Sequence, residues 1–237
     1  MSRIYDLVMT HKLDADDLFI HCIQQHCAEA RLNFFLVEPL WVEAFYSYLQ
    51  RGEVWPRVLL NLHSEHHQPQ EVYHRLVRLA AARNTRVIDP PDVALAAFDK
   101  ARMHSRLIGG GIHVPYTVMV RGPEVSQFEL TEHDRTMLGA PFVIKPALGY
   151  GQRGVVLDAT SAEDLKRSVA AWPEGDYLLQ RFVKPRQLKD GLAYFRVFYG
   201  FGAVWCCWWD CHSHRYRVIT PQEASDWMTR HIRDFRR

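Results

Sequence analysis

Apolar and polar positions follow two different rhythms along this chain, and the change between them divides it. Up to about residue 90, short β-rich runs at 4–9, 34–37, 58–62 and 85–88 are separated by stretches whose apolar residues recur near the 3.6-residue helical period. Asp14 or Asp16 is placed to cap the first helix, whose apolar face is expected at Leu18, Phe19, Cys22, Ile23 and Ala30. Residues 40–49 make an aromatic-rich second helix. Residues 70–83 make a third, with Val72, Leu76, Leu79 and Ala80 on one face. Strands alternating with helices predict βαβ units and an α/β domain with a mainly parallel sheet.

The doublet Pro90-Pro91 ends that rhythm, because two prolines continue neither element. A single helix is then expected over 92–108, stopped by Gly109-Gly110-Gly111. The β-rich runs that follow, at 116–120, 142–146, 154–158, 177–183, 194–199 and 203–209, with a helix at 161–171, are spaced as an α+β meander with antiparallel sheets. Arg121-Gly122-Pro123 opens a long loop. Near the end, Thr220-Pro221-Gln222-Glu223 forms a capping box for a helix carrying Met228 and Ile232 on an apolar stripe. The expected organisation is an α/β domain over 1–90 and an α+β region over 91–237. No internal repeat or low-complexity tract is present.

Composition narrows the function. The chain has 237 residues, 48% of them apolar, enough to bury a core. A net charge of +2 gives no field for nucleic acid or a membrane surface. Five irregularly spaced cysteines do not form a disulfide framework and fit a reducing compartment. The N-terminus lacks a signal-peptide core, and the longest uncharged apolar run, 197–209, is shorter than the roughly 18 residues of a spanning helix. The expectation is a soluble cytoplasmic protein with no nucleic-acid or membrane partner, homo-oligomerisation being left open.

The most informative stretch is 142–157. A β-rich run ends at Lys145-Pro146, glycines follow at Gly149, Gly151 and Gly154, and a second β-rich run starts at Val155. Glycines allow a ligand to approach bare backbone N–H groups, as a phosphate-holding loop requires, and a lysine on the adjoining strand reaches the same anion. The spacing matches G-x-G-x-x-G, but a dinucleotide fingerprint needs a helix directly after the loop, and none starts before about residue 161. The protein-kinase loop is flanked by strands, yet its lysine lies after the loop, and no H-R-D or D-F-G follows here. A ligand-free glycine-rich hairpin is the other reading of the loop alone.

Three further features join the loop in chain order: Asp99-Lys100 on a helix leading to Gly111-Ile112-His113-Val114-Pro115; the strand Tyr177-Leu178-Leu179-Gln180-Arg181-Phe182-Val183; and Tyr194-Phe195-Arg196-Val197 heading an apolar strand. Together, over about residues 90–209, this order resembles the ATP-grasp superfamily of carboxylate ligases, and the segment before it resembles that family's substrate-side domain. The resemblance implies that Lys100 and Lys145 contact the phosphates of ATP, with Gly149, Tyr150, Gly151, Gln152 and Gly154 as the flap over them. Gln180, Arg181, Phe182 and Val183 form the hinge beside the adenine, Phe182 or Ile144 touches the ring, and Lys189 or Asp190 approaches the ribose. Arg196 lies at the transferring phosphate, so that Lys145 and Arg196 are the catalytic candidates. The implied partners are ATP, a carboxylate, and an amine or thiol acceptor.

The family also implies Mg²⁺, whose ligands lie on two strands after the last helix. No such set is found here; Asp210, Glu223, Asp226 and Asp234 are the remaining acids, and the last three fall at unsuitable helical positions. Three expectations stay open: an ATP-dependent ligase forming an acyl phosphate, a nucleotide-binding module or truncated ligase without turnover, or a plain α/β protein that binds a partner through its aromatic surface. Arg181 replaces the hinge acid usual in the family, and Phe195 replaces a residue that is often acidic or polar there.

Other clusters carry less. Cys206 and Cys207 are adjacent on a strand and point to opposite faces, which argues against one zinc site with Cys211, His212 and His214. His63, Glu65, His66 and His67 lack metalloprotease spacing but follow a predicted parallel strand, where a substrate could be touched.

Overall fold

The computed structural model describes residues 2–11, 17–62, 69–149, 151–185, 187–188, 191–192, 194–210 and 215–217. The chain forms two compact units, Met1–Phe182 and Val183–Arg237. The boundary expected near residue 90 falls inside the first unit, between its two sheets.

The first sheet contains β1 (Arg3–Thr10), β2 (Phe34–Val37), β3 (Val54–Asn61) and β4 (Arg86–Ile88), all parallel and in the order β2-β1-β3-β4. Alternation sends Val8 and Leu59 to one face, where they pack with Phe45 and Leu49 of α2 (Val42–Arg51) and Leu76 and Ala80 of α3 (Val72–Ala82). Met9 and Leu60 face the other way and meet Ile20 of α1 (Asp17–Glu29). Here the structure corrects the expected helix face. Leu18 is 76% exposed, and Phe19 and Cys22 are exposed, whereas Ile20 and Cys27 are buried and Ile23 packs beside them. Positions 20, 23 and 27 form the tighter helical stripe. Strand β3 also begins earlier than expected and runs through Pro56. β4 pairs only with Val58, Leu59 and Leu60, so β3 is an edge at Pro56 and tolerates a residue without an N–H.

The expected helix over 92–108 is two helices, α4 (Pro91–Phe98) and α5 (Lys100–Gly109). Asp99 leaves the helical region at φ −69°, ψ 101°, and its carboxylate accepts the N–H groups of Ala101 and Arg102, at 3.0 Å each. A side chain that satisfies orphan donors this well starts a new helix instead of continuing the old one.

The second sheet is antiparallel and contains β5 (Thr117–Val120), β6 (Phe142–Pro146), β7 (Val156–Ala159) and β8 (Tyr177–Arg181) in the order β5-β8-β6-β7. On one face Val120, Phe142, Ile144, Tyr177 and Leu179 form a core with Leu138 of α6 (Glu132–Leu138) and Leu165 of α7 (Leu165–Ala171). The stretch after Arg121 is therefore not simply a loop. A 3₁₀ turn over Gly122–Gln127 leads to α6, whose capping box pairs Thr131 with Asp134. The opposite face of this sheet carries Lys145 and Gln180, with α5 lying against β8.

In the second unit, β9 (Gln187–Leu188) pairs with β10 (Gly191–Leu192). β11 (Phe195–Gly200), β12 (Ala203–Asp210) and β13 (Arg215–Arg217) form an antiparallel sheet. The α/β class with a parallel sheet, followed by antiparallel sheets, is thus as expected. The helix expected from Thr220, the Cys211–His214 cluster and the His63–His67 cluster lie outside the described residues. Among the described residues no helix is long and apolar enough to cross a membrane.

Candidate functional site

Lys145 is the fourth residue of β6, and alternation puts its side chain on the face away from the Ile144 core. It pairs with Leu178, and its Nζ reaches diagonally to Gln180, donating to Oε1 at 2.8 Å. The amide of Gln180 is held in turn. Its Nε2 donates to Thr117 Oγ1 at 2.9 Å, and that hydroxyl donates to the Pro115 carbonyl at 2.9 Å. Pro115, Thr117, Gln180 and Lys145 thus form one directed chain across β5, β8 and β6.

Lys100 comes to the same place from α5. Because Asp99 breaks the helix, Lys100 is the first residue of α5, and its N–H donates to the Ala147 carbonyl at 2.9 Å. Its Nζ donates to the Gly149 carbonyl at 2.6 Å and to the Ala147 carbonyl at 3.4 Å. Both lysines line a pocket of about 270 Å³, completed by Met103, His104, Leu178 and Gln180. Burial pushes both ammonium groups below the ordinary lysine value; Asp99 partly offsets this for Lys100, whereas Lys100 itself pushes Lys145 further down. Lys145 has no carboxylate partner among the described residues. His104, one turn after Lys100, is buried, and burial followed by the charge of Lys145 holds its imidazole below the ordinary histidine value. The pocket therefore concentrates positive charge in a half-dry space, with no carboxylate among its lining residues and Asp99 offsetting only part of the cost at Lys100, an arrangement that suits an anion.

The glycine loop is anchored at its far end. Gly154 is buried with φ +75°, and a Cβ there would lie 2.9 Å from Pro146 Cγ and 2.9 Å from Trp172 Cβ. Its carbonyl accepts from Ser168 Oγ at 2.5 Å, and Arg153 donates to the Ala171 carbonyl at 3.0 Å while lying over the Trp172 ring. Gly151 and Gln152 are exposed, both at φ +61°, so the middle of the loop is open. Gly154 is the root of the loop and Gly149 its lysine-held entrance.

Of the residues named from sequence, the structure brings together Lys100, Lys145, Gly149 and Gln180. Ile144 is corrected: it is fully buried among core residues on the opposite face of β6 from Lys145, so its side chain is not available to a ring. Phe182 is 41% exposed and Val183 62% exposed, and the Arg181 N–H is already bonded to the Tyr116 carbonyl at 2.9 Å. Arg196 belongs to the second unit, with its guanidinium 5.9 Å from the Phe198 ring centroid. Tyr150, Lys189 and Asp190 lie outside the described residues. Thr117 and His104 were not foreseen. His104 was visible as the i+4 neighbour of Lys100, but Thr117 requires the β5–β8 register. Among the described residues no group of three or more His, Cys, Asp or Glu side chains is placed to hold a metal ion.

No family model and no curated protein matches the chain. Solved structures do. D-alanyl-alanine synthetase A from Vibrio cholerae O1 biovar eltor is similar with a TM-score of 0.58 at 11% identity, over 100% of this chain and 78% of that one. A D-cycloserine synthetase is similar with a TM-score of 0.53 at 18% identity, over 76% and 59%. N5-carboxyaminoimidazole synthetase from Staphylococcus aureus, complexed with ADP, gives 0.52 at 12% identity, over 78% and 49%. The chain thus spans less than two thirds of the length of the last two.

Proposed function

We propose that this chain, whose fold is that of the ATP-grasp enzymes, binds ATP with its phosphates at Lys100 and Lys145 and uses it as an ATP-dependent ligase. The observation that carries the reading is the pair of half-buried, mutually repelling lysines held at the mouth of a glycine loop. Gly149, Tyr150, Gly151 and Gln152 close over the phosphates, with Gly154 as the fixed root. Gln180, Arg181, Phe182 and Val183 face the base, Asp190 the ribose, and Arg196 the transferring phosphate. Residues 1–90 serve the substrate and 91–237 the nucleotide. The similar structures named as synthetases, one of them holding ADP, support the assignment.

In the proposed reaction a substrate carboxylate oxygen attacks the γ-phosphorus, the bond to the β–γ bridging oxygen breaks, and ADP leaves. An amine or thiol then attacks the acyl carbon, inorganic phosphate departs with the bonding pair, and the acceptor's proton passes to solvent. Lys145 and Arg196 stabilise charge on the transferring group, and the loop excludes water. Magnesium, when bound, would neutralise charge on the β and γ phosphates; among the described residues no group of acidic, histidine or cysteine side chains is placed to hold it.

The test is ADP release from ATP and magnesium in the presence of pooled carboxylates with amines or thiols, run beside ATP-dependent thermal stabilisation. Both are expected. Stabilisation without ADP release would replace the ligase with a non-catalytic nucleotide module, and absence of both would overturn ATP binding itself.

The directed chain through Gln180 adds a sharper expectation. Thr117→Val frees the Gln180 amide to turn, and is expected to weaken ATP binding roughly two- to tenfold, the worth of one hydrogen bond at ~0.5–1.5 kcal/mol. Thr117→Ser keeps the hydroxyl and should bind as the parent does. Equal affinity of the valine and serine variants by calorimetry would show that the chain does not set the Lys145 position.

A further inference from the structure

Helix α5 has two working faces, and only one has been used so far. Lys100, Met103, His104 and Leu107 turn to the nucleotide pocket, while Ala101, Arg102, Ser105 and Arg106 line a second pocket of about 410 Å³. This second pocket is closed by Met119 and Arg121 of the β5 segment and by Asp176. Three arginines therefore line one concavity. Arg102 has a carboxylate, with its Nε 3.3 Å from Asp99. Arg106 and Arg121 have no ion-pair partner among the described residues. Asp176 is the one carboxylate in the lining, its Oδ1 accepting the Gly122 N–H at 3.0 Å, so the pocket sets one acid against three arginines. Arg102 and Arg106, one helical turn apart, are like charges at the spacing where repulsion is strongest on a helix. Arginine is the side chain suited to bidentate recognition of phosphate oxygens, and this arrangement supplies three of them over an apolar floor at Met119, which is 39% exposed.

We propose that this pocket is a second anion-binding site, for a small phosphate-bearing molecule, separated from the nucleotide pocket by the thickness of α5. The phosphate takes Arg106 and Arg121 as its principal partners and the free end of Arg102 as a third, and a compact organic body rests on Met119. Because α5 also begins with Lys100, occupancy here biases the element that holds the entrance of the glycine loop. This coupling rests on the ATP reading, but the site itself does not.

The probe is inorganic pyrophosphate, titrated calorimetrically at low ionic strength into the full chain, the Lys145→Ala chain and an Arg106→Ala/Arg121→Ala chain. The expected result is a saturable site that survives Lys145→Ala and weakens tenfold or more in the double arginine variant, distinct from any lysine-dependent pyrophosphate binding in the nucleotide pocket. Sodium chloride at matched ionic strength should not reproduce it. Binding that disappears with Lys145→Ala yet persists in the arginine variant would place the anion in the nucleotide pocket and overturn the site. A response matched by chloride would mean adventitious ion binding only. The arginine variant should melt no lower than the parent without anion, because it removes repulsion; a clear drop would show that these arginines serve the fold and would also overturn the proposal. If ATP binds as proposed, pyrophosphate should affect ATP affinity differently in the parent and in the arginine variant, where only competition at Lys100 and Lys145 remains, and the coupling between ATP and the arginine site should be reciprocal. Loss of ATP binding everywhere with the pyrophosphate site intact would sink the nucleotide reading and leave this one standing.

Discussion

Replacing Lys145 with alanine is expected to weaken ATP binding by an order of magnitude or more, about 1.4 kcal/mol or above. The effect follows from the site's charge balance. The ammonium lies in a half-dry pocket, bonded to the neutral Gln180 amide and repelled by Lys100, so an incoming phosphate meets an uncompensated charge. The same imbalance makes a second, opposite expectation for stability. Lys145→Met keeps the apolar stem without the charge, and at neutral pH should melt at or above the parent. The pH dependence has a definite sign. Burial, and then the charge of Lys100, hold the folded-state pKa of Lys145 below its ordinary 10.5, so wherever the lysine is charged the fold bears the cost. Between the folded and unfolded values the native state releases its proton first, so stability rises with pH, and above the unfolded value the cost is gone. The advantage of Lys145→Met should therefore shrink as melts are carried from pH 7 toward pH 10. An advantage that grew with pH, or ATP affinity unchanged in Lys145→Ala, would remove Lys145 from the site.

Gly154→Ala is expected to be the more damaging change to the fold. An L-residue at φ +75° costs ~1–2 kcal/mol, and a methyl group 2.9 Å from both Pro146 Cγ and Trp172 Cβ adds ~1–3 kcal/mol of overpacking. The sum, roughly 2–5 kcal/mol, is large against the ~5–15 kcal/mol that separates most folded domains from unfolding. Thermal or urea unfolding would measure it. Gly151→Ala shares the positive φ but meets nothing within 4 Å, so it should cost clearly less. Equal destabilisation at the two glycines would mean that backbone conformation alone, and not the packing on α7, fixes the loop.

Much of this was legible from the amino-acid order. The two rhythms of apolar spacing gave the parallel and antiparallel sheets, and the lysine placed before the glycines separated this loop from the dinucleotide and kinase loops. The failures have local causes. The 92–108 stretch keeps helical periodicity through Asp99, and nothing in the pattern shows that this carboxylate turns back to cap a new helix. Helix α6 has only seven residues and little apolar face, so its Thr131–Asp134 box was the sole signal. The buried stripe of α1 was misassigned because Leu18, Phe19 and Cys22 are as apolar as Ile20 and Cys27, and apolarity alone does not decide which side meets the sheet. Ile144 and Lys145 are neighbours in sequence and opposite in space, a distinction that strand alternation makes plain once β6 is placed. Thr117 becomes visible only through pairing register, which is a property of two strands together.

The break at Asp99 also provides a natural reporter. The first amide of a helix ordinarily faces solvent and exchanges its hydrogen freely. That of Lys100 is instead tied to the carbonyl of Ala147, two residues before the glycine loop. Its exchange with deuterated water can proceed only when helix and loop entrance part, so a single slow amide clocks the opening of the loop without any label or ligand.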